Sequence, residues 1–187
     1  MNRVHGFTLI ELLIVVAIIA ILAAIATPNF LEAQTRAKVS RAQADQRSLS
    51  VALEAYRVDA GRYPRYKNGL DYALFAGEAI TFTPVALTTP VAYITSLPPD
   101  VFPGRRSGPF IREPQYFYKH NGSQIYLGKT QYPGHVQDHF TSLTGSDRDV
   151  HWTVWSYGPD LKDDHGIILY DPTNGTVSKG DQMRFGP

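Results

Sequence analysis

The chain has 187 residues, which suits one domain of ordinary size. Hydrophobic residues make up 43% and charged residues 19%, so the composition excludes an intrinsically disordered chain. A net charge of +1 gives no support to a general nucleic-acid binder, and the absence of cysteine excludes disulfides, thiolate metal sites and cysteine nucleophiles.

The first predicted element is an apolar segment at residues 7–27 that carries a single charge, Glu11. As a helix it would span about 31 Å, close to the ~30 Å thickness of the hydrocarbon core of a membrane. A removable secretory signal peptide is the alternative interpretation, with residues 24–27 as an apparent cleavage site. Arg3 in the short N-terminal flank favours a cytoplasmic N-terminus and places the rest of the chain across the membrane.

The residues GFTLIE at positions 6–11 resemble the processing and assembly motif of type IV pilins and of the pseudopilins of type II secretion systems. In that family a short basic leader ends in Gly, a Phe follows, and a Glu stands four residues after the Phe. The resemblance implies that residues 1–6 are a leader peptide removed by a prepilin peptidase. It also implies cleavage between Gly6 and Phe7 and N-methylation of Phe7.

Glu11 carries the most demanding chemistry of this motif, because an ionised carboxylate in an apolar helix needs a partner or must become neutral. The resemblance implies that it pairs with the new amine of Phe7 on a neighbouring, staggered copy. At low dielectric such a pair would fix the register between copies. The resemblance also implies assembly roles for Thr8 and Pro28 within the transmembrane and filament-core helix at residues 7–28.

Pro28 lacks a backbone N–H, so we expect a bend near the membrane surface. The proline either marks the membrane exit or lets the helix fit between its neighbours in a filament, and the sequence leaves both readings open.

Residues 29–60 are predicted to continue as an amphipathic helix, because no Gly or Pro occurs before Gly61. Gly61 offers a C-cap and Pro64 forbids continuation. The apolar side chains recur at spacings of three and four on one side of the helix. They are Ala42, Leu49, Ala52, Leu53 and Tyr56. A one-sided stripe needs a cover, and we expect the C-terminal half of the chain to supply it.

Residues 61–114 are rich in Pro, Gly and Thr and predict a connecting region with one short helix at 69–76. Residues 115–187 then predict an antiparallel sheet with acidic C-terminal loops, including a hairpin turn at 171–175. The predicted strands are Gln115–His120, Gln124–Gly128, His151–Tyr157, Gly166–Asp171 and Gly175–Lys179. One helix followed by short strands predicts an α+β fold with the sheet packed on the helix, and the resemblance implies the type IV pilin-like fold.

Aspartates crowd the last forty residues, and oxygen-rich loops suit Ca²⁺, which takes about 6–8 oxygen ligands. The resemblance implies a structural calcium site near the C-terminus. Asp160 matches a family aspartate, Asp181 a later one, and Asp163 and Asp164 are added by proximity. The alternative is a solvated acidic cluster without a metal.

The stretches at 56–64 and 155–160 resemble the major, G-type pseudopilin in particular. The resemblance implies a homo-oligomeric filament subunit of a type II secretion pseudopilus, anchored by a single pass in the inner membrane with its distal domain periplasmic. The implied partners are the prepilin peptidase, the assembly platform and minor pseudopilins.

A type IV pilus subunit for adhesion, motility or DNA uptake is the alternative within the family. A membrane-tethered binding or enzymatic domain is the alternative from another class. The sequence contains no nucleophile elbow or phosphate-binding glycine loop, so we do not expect an enzyme. The net charge of +1 leads us to expect no nucleic-acid partner.

Overall fold

The computed structural model describes residues 7–64, 73–75, 78–80, 84–102, 115–120, 140–141, 143–146, 148–162, 164, 168–173 and 178–187. One long helix, α1, runs from Leu9 to Ala60, and a 3-10 turn covers Val85–Leu87. The strands are β1 (Ala73–Phe75), β2 (Glu78–Ile80), β3 (Phe117–His120), β4 (Trp152–Ser156) and β5 (Gln182–Gly186).

α1 has 52 residues and is therefore about 78 Å long. It ends where the sequence predicts, because Gly61 takes a left-handed φ of 68° and donates its N–H to the Arg57 carbonyl at 2.8 Å. Pro28 lies inside α1, and the helix continues through it.

The main sheet is antiparallel in the order β3–β4–β5, with Trp155 of β4 opposite both Phe117 of β3 and Met183 of β5. The strands predicted at 115–120 and 151–157 are confirmed. β1 and β2 pair with each other as a separate antiparallel hairpin.

Two predictions about local structure are wrong, and one strand was not predicted. Residues 73–75 of the predicted helix form β1, because pairing with β2 overrides the helix preference of Ala73 and Leu74. The predicted strand at 166–171 is reduced, among its described residues, to a single parallel bridge from Leu169 to Asp181. β5 was not predicted, because its two buried positions are occupied by Gln182 and Gly186. Neither residue is a large apolar one, so the sequence shows no apolar alternation there.

Several predictions lie outside the described residues. They are the leader at 1–6, the strand at 124–128, residues 69–72 and 76 of the predicted helix and most of the strand predicted at 175–179. Of that last strand, Ser178 and Lys179 are described, and neither is in a strand.

The core lies between residues 32–60 of α1, its distal half, and the inner face of the main sheet. The predicted stripe is confirmed, since Ala42, Leu49, Ala52 and Leu53 are buried, while Tyr56 is half-buried at its edge. The partners of the stripe come from the connecting region and the sheet. They are Leu87, Phe102, Tyr116, Tyr118, Trp152 and Val154.

Polar side chains of α1 also bind the sheet. Gln46 is buried and donates from Nε2 to the Gln182 carbonyl at 2.8 Å. Trp152 donates from Nε1 to Oε1 of Glu54 at 2.7 Å. Because these bonds reach two different strands, they hold the domain to one side of the distal half of α1.

Candidate functional site

The start of α1 is built by Thr8 and Glu11. Thr8 is the N-cap, and its Oγ1 accepts the Glu11 N–H at 3.3 Å. In return, the Thr8 N–H donates to Oε2 of Glu11 at 2.8 Å, and the Thr8 hydroxyl donates to the same oxygen at 2.7 Å. This reciprocal pair is a capping box, which satisfies two otherwise free N–H groups at the helix start.

The capping box leaves half of the carboxylate available. The hydrogen bonds that Glu11 accepts from Thr8 all go to Oε2, so Oε1 can receive a donor from outside the subunit. Both Glu11 and the adjacent Phe7 are exposed in the single copy. The structure therefore places Phe7, Thr8 and Glu11 together at one exposed helix end, with the carboxylate at the positive end of the helix dipole.

The first part of α1, residues 9–31, has no buried side chain. Its large apolar residues, from Leu9 to Leu31, are 45–75% exposed. Its most apolar window has a mean hydropathy of 3.1, and α1 is the one helix of the described chain that is long and apolar enough to cross a membrane. We call residues 9–31 the membrane half of α1 and residues 32–60 the distal half.

Pro28 stands near the junction of the two halves. Its missing N–H leaves the Ala24 carbonyl without the usual helical donor. One residue earlier, the Thr27 hydroxyl donates to the Ala23 carbonyl at 2.7 Å. The helix passes this point without a break, so the exposed apolar surface and the buried stripe belong to one continuous rod.

The C-terminal loops hold the other predicted site residues. Asp160 accepts the Lys162 N–H on Oδ1 at 3.2 Å. The second oxygens, Oδ2 of Asp160 and Oδ2 of Asp164, are buried without a hydrogen-bond partner. Asp181 is fully buried, and its N–H donates to the Ile168 carbonyl at 2.8 Å. Asp163 lies outside the described residues.

The backbone brings the Asp160 and Asp181 loops together. Gly158 and Gly180 both have positive φ, and a Cβ on Gly158 would lie 2.5 Å from the Gly180 carbonyl oxygen. Leu161 also has a positive φ, 58°, in the turn after Asp160. Carboxylate oxygens are ligands that Ca²⁺ takes, and these two lack a hydrogen-bond donor. The described part of the chain contains no group of three acidic or histidine side chains that could complete a metal site.

Asp100 is the residue that the sequence analysis missed. It is only 3% exposed and accepts the Phe102 N–H at 2.9 Å and the Ser156 hydroxyl at 2.7 Å on Oδ1. It therefore ties the connecting region to β4. The signal for the local part was present, since an aspartate often accepts the N–H two residues later in a turn.

Tyr116, which is also buried, makes a further polar link, from the sheet side of the core to α1. Its hydroxyl donates to Oδ2 of Asp45 at 3.1 Å. Burial, together with the negative charges of Asp45 and Asp100, raises the pKa of Tyr116 well above its usual value. The hydroxyl therefore stays protonated and can act as the donor that links α1 to the sheet.

A membrane-length helix that begins at an exposed Thr–Glu capping box and continues into a small α+β domain defines a type IV pilin-like protein. Comparison with known families agrees with this class. Residues 1–27 match the prokaryotic N-terminal methylation motif, and residues 29–105 match protein G of the type II secretion system.

Individual relatives give the same result. The type II secretion system core protein G of Klebsiella pneumoniae is 35% identical over 101 residues, covering 54% of this chain and 70% of the relative. The protein of the same name from Escherichia coli K12 is 34% identical over 100 residues, covering 53% and 67%. The chain belongs to the family of type II secretion system core protein G.

A pilin also resembles the N-terminal region. The type IV major pilin protein PilA of Myxococcus xanthus is 48% identical over 71 residues, or 38% of this chain. That match spans 32% of the pilin, and the match to core protein G of Aeromonas hydrophila spans 59% of that relative. No solved structure matches the chain significantly.

Family membership and the one membrane-length helix among the described residues define the location of the chain. It is a single-pass protein of the inner membrane, with the distal half of α1 and the sheet on the periplasmic side.

Proposed function

We propose that this chain is a structural subunit of a type II secretion pseudopilus, and that its role is assembly rather than catalysis. The observation that carries the proposal is the unequal burial of α1. A half of the helix with no buried side chain needs lipid before assembly and neighbouring helices afterwards, because so large an apolar surface is not stable in water.

Processing would prepare this surface for assembly. A prepilin peptidase would cleave after Gly6, and this step would free the amine of Phe7 one residue before the capping box. The same amine would then be N-methylated. That amine on one copy would approach Oε1 of Glu11 on a staggered neighbour. Oε2 would meanwhile remain bonded to Thr8, so each carboxylate would serve its own helix and its neighbour at once.

The assembly platform of the inner membrane and minor pseudopilins are the expected partners. In the low dielectric between helices, a misplaced neighbour would leave both the amine and the carboxylate unpaired. The pair would therefore select one stagger between copies and so the geometry of the filament.

A type IV pilus subunit is the second candidate, and the similarity to the Myxococcus pilin favours it. That similarity covers 71 residues, whereas the protein G model extends to residue 105, well beyond α1. Because the similarity to protein G includes the region after α1, it favours a pseudopilus subunit over a pilus subunit, and we place the secretion role first.

The test compares the culture supernatant of a deletion strain with that of its parent. Loss of a defined set of secreted proteins, with their accumulation in the periplasm and restoration by the intact gene, is the expected result. An unchanged supernatant together with loss of surface filaments would contradict the secretion role and favour the pilus.

We also propose a structural calcium ion at the C-terminal loops, held by Asp160 and Asp164 with backbone carbonyls of the adjacent turns. The support is the pair of buried carboxylate oxygens that lack a hydrogen-bond donor, since buried negative charge requires compensation. Asp163 and Asp181 remain further candidates. When bound, the ion would act as a staple in a domain that has no disulfide.

Thermal unfolding of the full chain in detergent tests this proposal. Ca²⁺ should raise the melting temperature of the wild type, and Asp160→Asn should lose that increase. Asp149→Asn is the matched control, because the Asp149 side chain is exposed and lies outside the two loops. Equal melting temperatures with Ca²⁺ and with a chelator would refute the site.

A further inference from the structure

A short bare segment of α1 separates the membrane half from the packed domain. Residues 32–38 are exposed or half-buried, and Val39 is the first residue of α1 that is buried in the core of the domain. None of residues 32–38 has a large apolar side chain. We call residues 32–38 the neck. Since the neck carries charged side chains and the core does not cover it, its surroundings must be polar.

The length of the neck matches the layer of lipid headgroups. At about 1.5 Å per residue, the neck spans about 10 Å. A bilayer is about 40–45 Å thick and its hydrocarbon core about 30 Å, which leaves roughly 5–8 Å of headgroups on each side. Leu31, 54% exposed, is the last large apolar residue of the membrane half. The neck therefore begins where the hydrocarbon ends, and it crosses the headgroup layer.

The neck and the residues just after it carry cations that their own acidic neighbours do not fully neutralise. Arg36, Lys38 and Arg41 are all exposed. Glu32 pairs with Arg36 at 2.5 Å, and Asp45 lies 3.9 Å from Arg41. Lys38 pairs with no acidic side chain that the structure describes. A net positive charge therefore stands at the height of the headgroups.

Lys38 and Arg41 can reach the same headgroup. They lie three residues apart, so they are neighbours on one side of the helix. Side chains of a helix lean toward its N-terminus, which is the direction of the membrane in this chain. Lys38 lies about 10 Å and Arg41 about 15 Å beyond Leu31. Because the Debye length is about 8 Å at physiological salt, both cations can act on phosphates of the headgroup layer.

The distribution of charge along the chain is the reverse of the usual one for a single-pass protein. Cytoplasmic flanks of membrane helices ordinarily carry the excess of Lys and Arg. Residues 1–6 contain one such cation, Arg3, whereas residues 32–41 on the periplasmic side contain three, together with one acidic residue. These three cations oppose the orientation that the location requires, so their position indicates a binding role.

We propose that Lys38 and Arg41 bind the phosphate of an acidic phospholipid in the periplasmic leaflet of the inner membrane. A guanidinium suits a phosphate because it can donate two hydrogen bonds, and an ammonium supplies a compact charge beside it. The bound lipid fixes the depth of the neck and so the height of the domain above the membrane. The inference goes beyond the proposed function and rests on the single-pass location alone, so it applies equally to a pseudopilus or a pilus subunit.

The lipid selectivity of the full chain, reconstituted in vesicles, tests the inference. The vesicles are made of phosphatidylcholine with a trace of one spin-labelled lipid, either phosphatidylglycerol or phosphatidylcholine, labelled on the acyl chain. Electron paramagnetic resonance then measures how strongly each lipid associates with the protein. Because one Lys or Arg near an anionic membrane surface changes binding about fivefold, the wild type should prefer phosphatidylglycerol by at least about fivefold.

The variant that combines Lys38→Gln with Arg41→Gln should lower that preference to less than about twofold. The variant that combines Arg47→Gln with Arg62→Gln is the matched control, because it removes the same charge from other exposed positions. Arg47 lies about 24 Å beyond Leu31, and Arg62 follows the end of α1. The control should keep the wild-type preference. Both variants should keep the wild-type circular dichroism spectrum, since all four side chains are exposed.

Two results would overturn the proposal. Equal association of the two lipids with the wild type would show that the neck does not select acidic phospholipid and would leave its cations to a protein partner. A preference that persists in the variant of Lys38 and Arg41 would assign the selectivity to another part of the chain, such as Arg3 on the cytoplasmic side. Neither result bears on the secretion role, which the supernatant of the deletion strain tests separately.

Discussion

In the membrane half of α1 every side chain is exposed, whereas in the distal half a stripe from Val39 to Leu53 is buried against the sheet. The two halves share one backbone and one set of helical hydrogen bonds. They differ in the partner that removes their apolar surface from water. The distal half obtains that partner from its own chain, and the membrane half must obtain it from lipid or from other copies.

The contrast extends to polar groups. In the distal half, Gln46 and Glu54 bond to the sheet and help to position the domain. In the membrane half, the carboxylate of Glu11 bonds to Thr8 alone among the described residues, and one of its oxygens remains available. The polar side chains of the distal half therefore stabilise the fold because the chain supplies their partners. Under the proposed function, another copy would supply the partner for the remaining oxygen of Glu11.

Glu11→Ala should have the largest effect and should act on the membrane half alone. Removing one member of a desolvated ion pair costs roughly 3–5 kcal/mol, so the variant should insert and be processed but should not join filaments. Glu32→Ala is the matched control, since Glu32 pairs with Arg36 on the exposed surface. Counting filaments by electron microscopy checks the prediction, and wild-type numbers from Glu11→Ala would show that the pair does not set the register.

Leu53→Ala should produce the reverse pattern. Leu53 is fully buried, so the substitution should lower the free energy of unfolding by about 2–5 kcal/mol. Val51→Ala, two residues away and exposed, should change it by less than about 0.5 kcal/mol. Denaturant unfolding of the full chain in detergent, followed by tryptophan fluorescence, measures both. Similar losses for the two variants would contradict the assignment of opposite faces.

Substitution of Tyr63 should have the smallest effect, a change in how stability depends on pH at the distal end of α1. Its hydroxyl donates to Glu54 at 3.0 Å, and burial together with that carboxylate raises the pKa of Tyr63 to about 12. An unfolded tyrosine ionises near pH 10, so the folded state holds this proton more tightly between pH 10 and 12. The stabilisation is complete below pH 10 and is lost as the pH rises to 12.

Tyr63→Phe should therefore show a smaller fall in stability than the wild type over that interval. Glu54→Gln, which keeps an acceptor without its charge, should lie between them. Parallel pH profiles for the wild type and Tyr63→Phe would show that the hydroxyl does not titrate as described.

The sequence predicted the parts of the fold that depend on nearby residues. The stripe on α1 repeats over several turns, and Gly61 ends the helix by a local rule. Contacts between distant residues were missed. Gln46 is buried because it reaches the Gln182 carbonyl, 136 positions away, and Asp100 because it accepts from Ser156, 56 positions away. The helical spacing does place Gln46 on the buried stripe, four residues after Ala42, but no local pattern reveals the distant partner of either residue.

The candidate sites divide in the same way. Phe7, Thr8 and Glu11 are neighbours in the sequence, so their motif could be recognised, although the Thr-x-x-Glu spacing of the capping box was overlooked. The calcium prediction depends on loops brought together by the contact of Gly158 with Gly180. The spacing between Asp160 and Asp181 contains no signal for that contact.

The most direct test of the account is the mass of the mature N-terminus, measured on protein from the membrane fraction. The expected result is a chain that begins at a methylated Phe7, since under the proposed function the exposed motif at the start of α1 would act in assembly only after the leader is removed. An intact Met1, or a chain that begins after Ala26, would contradict it and would make the helix a simple anchor or a signal peptide.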